Sequence, residues 1–451
     1  MKNTLLKIGA VALLAAALVI PVNMIQSLVA ERQARRNEAV AGIAEGWGKA
    51  QVVAGPYLAL PYERRWTEVR QELVDGKLRE QRTERKEAQV ARLPVESVDW
   101  NAKAAISEKA RGIYKARLYG VKLEAQGAFT LPARGSLEDG TSQYKWHVPR
   151  LVVGIADPNG IRAASGVAIE GQPAAAFAPG SGDVYAGGSP IGGLHIPMPN
   201  LAPGEQAKKM PFAFSLELGG SESFALAPFG ADASVAMHAN WPHPSFQGRY
   251  LPASHQIEAS GFSAAWKLSR LAGQGAARAP GCAFPCTALN DQVIVSFIEP
   301  AGLYQKLERA SKYGFLFIGL TFAAFMLLEL LRRLAIHPMQ YALVGLALAM
   351  FFLLLTALSE HIAFEFAYAA AALACVLVIA TYLVHALRSV KAAAIFGATL
   401  AGVYGILYLL LKAEDYSLLG GSLFLFGLLA ALMIATRRVD WYGLTAARPA
   451  A

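Results

Sequence analysis

The stretch GFLFIGLTFAAFMLLELL at residues 314–331, followed closely by YALVGLALAMFFLLLTAL at 341–358, decides the fold class of this chain. Glu329 is the one charged group in the two. Apolar segments of about 18 to 23 residues cross a hydrocarbon core of roughly 30 Å as helices, because lipid offers the backbone amides no partner outside the helix itself. Three more such blocks follow at 362–384, 392–411 and 418–435, and another opens the chain at 5–30. The expectation is an α-helical membrane protein with about six transmembrane helices.

The opening block admits a second reading. Lys2 and Lys7 precede an apolar heart, 8–20, that is short enough for the h-region of a signal peptide, and Pro21 follows it. Leu28-Val29-Ala30 is a poor small-x-small cleavage site, which favours an uncleaved anchor.

Charge sets the orientation. Arg332 and Arg333 follow the second span, Arg388 and Lys391 the fourth, Arg437 and Arg438 the sixth. The opposite connections carry Ser359-Glu360-His361 and Lys412-Ala413-Glu414-Asp415-Tyr416. The positive-inside rule then places the basic ends and both termini in the cytoplasm. Arg32, Arg35 and Arg36 after the first span run against this, but long translocated loops obey the rule weakly. Much of the net charge of +9 is therefore topological, and no nucleic-acid partner is expected.

Between the first two spans, residues 31–312 change character to short period-two runs broken by Gly and Pro. Phe212, Phe214, Leu216 and Leu218 alternate with small or polar residues, as do Phe262, Ala264, Trp266 and Leu268, and then Val293, Val295 and Phe297. This is the pattern of half-buried antiparallel strands and predicts a large, mainly-β, sandwich-like periplasmic domain. A change of phase from Ala116 and Leu118 to Val121 and Leu123 predicts a β-bulge at Gly120. Val74-Asp75-Gly76-Lys77 carries the signal of a type I′ hairpin inside the charged stretch 63–92, with a charged helix as the competing reading. The proline-rich elements 55–61, 195–199 and 240–246 predict sheet edges or crossings, since proline cannot donate to a ladder. The division expected is an anchor at 1–30, the β domain at 31–312, a five-helix block at 313–436 and a cytoplasmic tail at 437–451.

The sequence shows no phosphate loop, His-Glu-x-x-His pair or nucleophile elbow in a suitable context, so no catalytic, cofactor-binding or metal residues are assigned. Nothing in the spacing of His238, His243 and His255 makes them converge on a metal. Cys282 and Cys286 flank a short loop and form a candidate disulfide in an oxidising compartment, whereas Cys375 lies inside an apolar run as a packing residue. The better functional candidates are polar groups near the membrane, which are costly there. Glu329 has Arg332 and Arg333 at helical spacing, which predicts a local ion pair. Glu360, His361 and Glu365 fall at the outer turn between the third and fourth spans, either as a proton-binding cluster or as an exposed polar turn. His337-Pro338 opens the third span with proline where a missing N–H is tolerated, and Tyr341 is expected in the interfacial aromatic belt.

Several of these stretches resemble one family. They are Asn240-Trp241-Pro242-His243-Pro244-Ser245-Phe246 with Leu251-Pro252, Gly261-Phe262 before Trp266, His337-Pro338-Met339-Gln340-Tyr341, Leu358-Ser359-Glu360-His361 and Asp440-Trp441-Tyr442. The chain resembles the CreD inner-membrane proteins of Gram-negative bacteria over nearly its whole length. The resemblance implies an envelope protein of a Cre-regulated stress response, associated with cell envelope integrity, colicin tolerance and β-lactam stress, and the lack of a catalytic constellation makes a non-enzymatic role the expectation. It supplies no catalytic residues. The partners expected are the lipid bilayer and an envelope protein, lipid or wall component bound by the β domain. The alternative is a small transporter or lipid-handling protein that uses the C-terminal helices.

Overall fold

A computed structural model describes residues 2–74, 77–169, 175–180, 192–228, 230–269, 292–297, 302–332, 336–387, 389–412 and 417–437. The chain divides into two compact units, Met1–Asn37 with Pro300–Ala451, and Glu38–Glu299.

The first unit is helical. It contains α1 (Lys2–Ala17) and the start of α2 (Val19–Trp47), and later a short α3 (Leu303–Lys312), α4 (Gly314–Arg332), α5 (Pro338–Ser359), α6 (Phe364–Leu387), α7 (Val390–Lys412) and α8 (Ser417–Thr436). Among the described residues four helices are long and apolar enough to cross a membrane: Gly9–Trp47, Pro338–Ser359, Phe364–Ala386 and Val390–Lys412. The expected second and sixth spans are helical as α4 and α8, though several of their side chains lie outside the described residues.

The interior of this unit is aromatic. Tyr404 of α7 lies against Phe317 of α4 and Phe351 of α5, with ring centroids 5.0 and 4.5 Å apart. Where the surrounding solvent is as apolar as the side chains, close packing and hydrogen bonds must hold helices together. The Tyr368 hydroxyl donates to the Tyr404 carbonyl at 2.7 Å, and the Tyr404 hydroxyl donates to Cys375 Sγ at 3.2 Å. Cys375 is thus a packed thiol between helices, as its apolar setting predicts.

The second unit is mainly β. In chain order its strands are β1 (Gln51–Val74), β2 (Lys77–Arg111), β3 (Tyr114–Leu131), β4 (Gln143–Trp146), β5 (Arg150–Ile155), β6 (Ile161–Ala164), β7 (Ala168–Ile169), β8 (Ala178–Pro179), β9 (Gly193–Pro197), β10 (Lys208–Ser221), β11 (Ser223–Pro228), β12 (Gly230–Ala239), β13 (Ser245–Gly248), β14 (Ser254–Glu258), β15 (Gly261–Ser269) and β16 (Val293–Ser296). They form one continuous ladder in two layers joined by β2. The first half of β2 pairs with β1 as far as Pro94, opposite Tyr57. From Val95 onward it runs parallel to β12, and from Ser97 antiparallel to β3. Pro94 offers no N–H to a ladder, and the strand changes layer there. One core serves both layers, drawing Leu58, Leu151, Phe224 and Val295 from one and Trp100, Leu123, Phe214 and Trp266 from the other.

The bulge lies elsewhere than expected. Gly120 pairs in unbroken register with Ala105 and with Gly219. The phase changes there because β3 is buried on both faces: Tyr119, Val121 and Leu123 enter the main core, while Ala116 and Leu118 are buried outside it. The interruption is at Gly55-Pro56, where the register of β1 against β5 shifts between Ala54 and Tyr57. Gly55 has φ 112°, open to glycine, and Pro56 cannot continue the ladder. One face of β1 therefore carries Val53, Leu58 and Leu60 into the main core, while Ala54, Tyr57 and Ala59 form a small second core with Val152 and Ala227.

The charged stretch is a β-ribbon, not a helix. Val74 faces Lys77, so two residues close the hairpin; Asp75 and Gly76 themselves lie outside the described residues. Glu63 accepts hydrogen bonds from Lys86 and Arg65, which hold its carboxyl down at about 2.

Where the chain enters this unit, polar groups form a buried knot that no local pattern announces. Gln51, fully buried, donates through Nε2 to the carbonyls of Asp157 and Gly219 at 3.0 and 3.1 Å. The Tyr119 hydroxyl donates to the Ser223 carbonyl at 2.7 Å and accepts from the Gln51 N–H. Burial pushes this phenol well above its ordinary range, so it stays a donor. The Trp47 indole donates to the Tyr119 carbonyl at 3.0 Å, with Lys109 and Arg162 over its ring.

Candidate functional site

In the helical unit three elements converge on Glu360. Helix α5 ends at Ser359, whose hydroxyl turns back to the Leu355 carbonyl at 2.6 Å, and Glu360 caps the helix in helical backbone geometry. Its side chain is only 8% exposed. The Tyr304 hydroxyl donates to Glu360 Oε1 at 3.1 Å, and Arg32 Nη1 lies 3.6 Å from Oε2. Tyr304 reaches this place because Tyr304, Leu307, Ala310 and Ser311 fall on one buried face of α3, at spacings of three and four. Arg32 comes from α2, which is tied to α3 lower down by the Gln26 amide donating to the Ser311 carbonyl at 3.2 Å. A carboxylate held by one phenol and one guanidinium can fix three helices together or exchange a proton. A single carboxylate is a poor metal ligand set, and among the described residues no group of three or more His, Cys, Asp or Glu is placed to hold a metal.

The structure does not gather the other outer-turn residues here. His361 is exposed and precedes α6, so its spacing to Glu365 is not a helical one; Glu365 is exposed in the first turn of α6. Sequence reasoning found Glu360 but missed Arg32 and Tyr304. The stripe on α3 could have indicated Tyr304; nothing local joins Arg32 to a carboxylate so far along the chain.

Glu329 has a partner that local helical spacing does not indicate. The Tyr341 hydroxyl donates to Glu329 Oε2 at 2.9 Å, whereas the side chain of Arg332 and all of Arg333 lie outside the described residues. Tyr341 is accordingly buried between Phe322 and Phe325 and not part of an exposed belt. His337 is an N-cap: its Nδ1 accepts from the Met339 N–H at 3.2 Å, while the Gln340 side chain accepts from the His337 N–H at 3.1 Å. This reciprocal box, with Pro338 in the first turn, starts α5 where the sequence places it.

In the β unit, the Asn240–Pro244 motif is a corner with a cleft beside it. Beyond the last parallel pair, Ala239 with Ala104, the Asn240 amide accepts from the Ile106 N–H at 2.7 Å and donates to its carbonyl at 3.3 Å. It thereby continues the ladder with a side chain. The Trp241 indole donates to the His243 carbonyl at 2.8 Å, and the Arg117 guanidinium lies 4.2 Å over its ring. Pro242 and Pro244 flank His243, whose ring meets Trp241 edge-on at 6.0 Å. Gly261, at φ 152°, brings its Cα so close to the Ala239 carbonyl that a Cβ would stand 2.1 Å from the oxygen. The adjoining cleft, about 480 Å³, is lined by Lys103, His238, Asn240, Gln256, Glu258 and Ser263 among others. It is open and mixed in character, with Lys103 and Glu258 supplying groups of both signs beside apolar surface from Ala104, Ala239 and Phe262. Cys282 and Cys286 lie outside the described residues.

Membrane-length apolar helices with a large mainly-β unit inserted between them in sequence define a helical membrane protein with a second, mainly-β domain. Its sequence matches the family described as Inner membrane protein CreD over residues 3–442, and the chain belongs to that family. It is 32% identical over 431 residues to Inner membrane protein CreD of Escherichia coli (strain K12), covering 94% of this chain and 91% of the relative. Among solved structures, an M1 zinc metallopeptidase of Deinococcus radiodurans aligns at 9% identity over 49% of this chain and 53% of that one, with a TM-score of 0.21. A secretin-domain β-barrel of InvG from Salmonella aligns over 38% of this chain and 61% of that one, at 8% identity and a TM-score of 0.06. Scores this low carry no argument about fold or activity.

Proposed function

We propose that the chain is a six-span inner-membrane protein of cell envelope integrity, with both termini cytoplasmic and residues 31–312 in the periplasm. In this reading it is not an enzyme. The β domain binds an envelope component, and the helical block anchors that contact and relays it. The observation that carries the reading is the large β unit inserted in sequence between apolar helices of a CreD-family chain, with an open cleft of mixed polar and apolar lining beside the Asn240–Pro244 corner. The basic ends after alternate spans support the orientation.

The transporter reading has one observation in its favour, the Glu360 carboxylate shielded among helices. Its partners are a phenol and a guanidinium that clamp it, which suits a joint better than a path.

Photo-crosslinking residues placed at Gln256 and at Lys103 in the full chain, in intact cells, test the binding claim. Adducts with a lipid, wall fragment or envelope protein at the cleft, absent from Glu217 on the outer surface of β10, are the expected result. Equal yields at all three positions, or none at any, would defeat it.

A further inference from the structure

Beyond Arg65, which faces Gln143 of β4, the described strands of the charged ribbon pair only with each other: Trp66 with Arg85, Glu68 with Thr83, Val69 with Arg82, Arg70 with Gln81. Nine residue pairs at about 3.3 Å each would extend this arm by roughly 30 Å. Ribbons of two strands are marginal in water. This one is laced by Glu68 to Arg70 and Arg85, at 2.9 and 2.8 Å. Among the described residues the hairpin leaves the outer edge of β1 open, and an open edge is a template for a further strand. In a two-residue hairpin the flanking pair exchanges hydrogen bonds, so Val74 and every second residue before it bond inward. Thr67, Val69 and Gln71 are left with N–H and C=O directed outward.

We infer that this edge pairs with the same edge of a second copy of the chain, antiparallel about a two-fold axis at Val69. In that register Glu68 of each copy faces Arg70 of the other on one face of the ribbon. On the opposite face Val69, half exposed in the single chain, meets its own mate, and Thr67 meets Gln71. A register centred one residue on, at Arg70, sets Arg70 against itself, so the charge pattern selects between registers. Charges on edge strands often serve to prevent such pairing. A protective edge of one sign repels a second copy in every register; alternating sign along one face attracts it in a few. Confinement of both copies to one membrane would raise their effective concentration, so a short edge contact suffices.

The test uses the full chain in native membranes, with Cys282, Cys286 and Cys375 replaced by Ser. Val69→Cys is expected to give a disulfide-linked dimer under mild oxidation, and Gln81→Cys, on the other strand, to give none. In the Val69→Cys background, Glu68→Arg or Arg70→Glu alone should lower dimer yield roughly fivefold, and the two together should recover most of it, since the cross-copy pair is then restored. Absence of the Val69→Cys dimer would overturn the inference. So would equal yield at Gln81, or a double substitution no better than either single one.

Discussion

Truncating Trp266 to alanine is expected to lower the stability of the β unit by about 3–5 kcal/mol, the cost of emptying a buried aromatic site. Trp266 is 1% exposed, sits opposite Val235 in the β12–β15 pair and meets Phe246 edge-on at 5.7 Å. Phe246 comes from β13, the strand that follows the Asn240–Pro244 corner and belongs to the other layer, so the contact ties the two layers together. Among the described residues the indole N–H of Trp266 is buried without a hydrogen-bond partner, and an orphaned donor costs about 1–3 kcal/mol. Trp266→Phe removes that penalty and keeps most of the ring, so its cost should be well under half that of the alanine variant. Denaturant midpoints of the full chain in detergent, read by protease protection of the β unit, separate the two. Equal losses for Phe and Ala would mean that the N–H has a partner and that ring volume is not what matters.

Glu360→Ala is expected to weaken the helical unit by about 1–3 kcal/mol, because it strips the Tyr304 hydroxyl and the Arg32 guanidinium of a common acceptor. Arg32 is 37% exposed and 3.6 Å away, so solvent screens much of the charge pair and the Tyr304 bond carries more of the loss. Glu360→Gln, which keeps an acceptor for Tyr304, should cost less than Glu360→Ala, and Tyr304→Phe should reproduce most of the alanine effect. Thermal aggregation of the detergent-solubilised protein measures these. A larger loss in Arg32→Gln than in Tyr304→Phe would reverse the assignment of the dominant contact.

What the sequence disclosed, and what it did not, follows from range. Apolar length is a local property, and α5, α6 and α7 are legible to within three residues at each end, with His337-Pro338 marking the start of α5 through its own capping chemistry. The strands of β10 and β15 were legible because one face is buried and the other is not. The ribbon was ambiguous for the same reason: from Trp66 to Lys86 none of the described side chains enters the core, so no apolar period distinguishes strand from helix. At Gly120 the inference from phase to bulge failed because both faces of β3 are covered. The partners of Glu360 and of Gln51 lie far away in sequence, and only the folded chain brings them together.

In the proposed topology residues 31–312 form a periplasmic domain on a six-span protein with both termini inside. A single cysteine at Gln81, or at Ala446 in the tail, in the full chain without its native cysteines, tests this most directly. The probe is a membrane-impermeant maleimide applied to cells whose outer membrane is permeabilised. The account predicts labelling at Gln81→Cys in intact cells and at Ala446→Cys only after the inner membrane is broken. Labelling of Ala446→Cys in intact cells, or protection of Gln81→Cys, would contradict it.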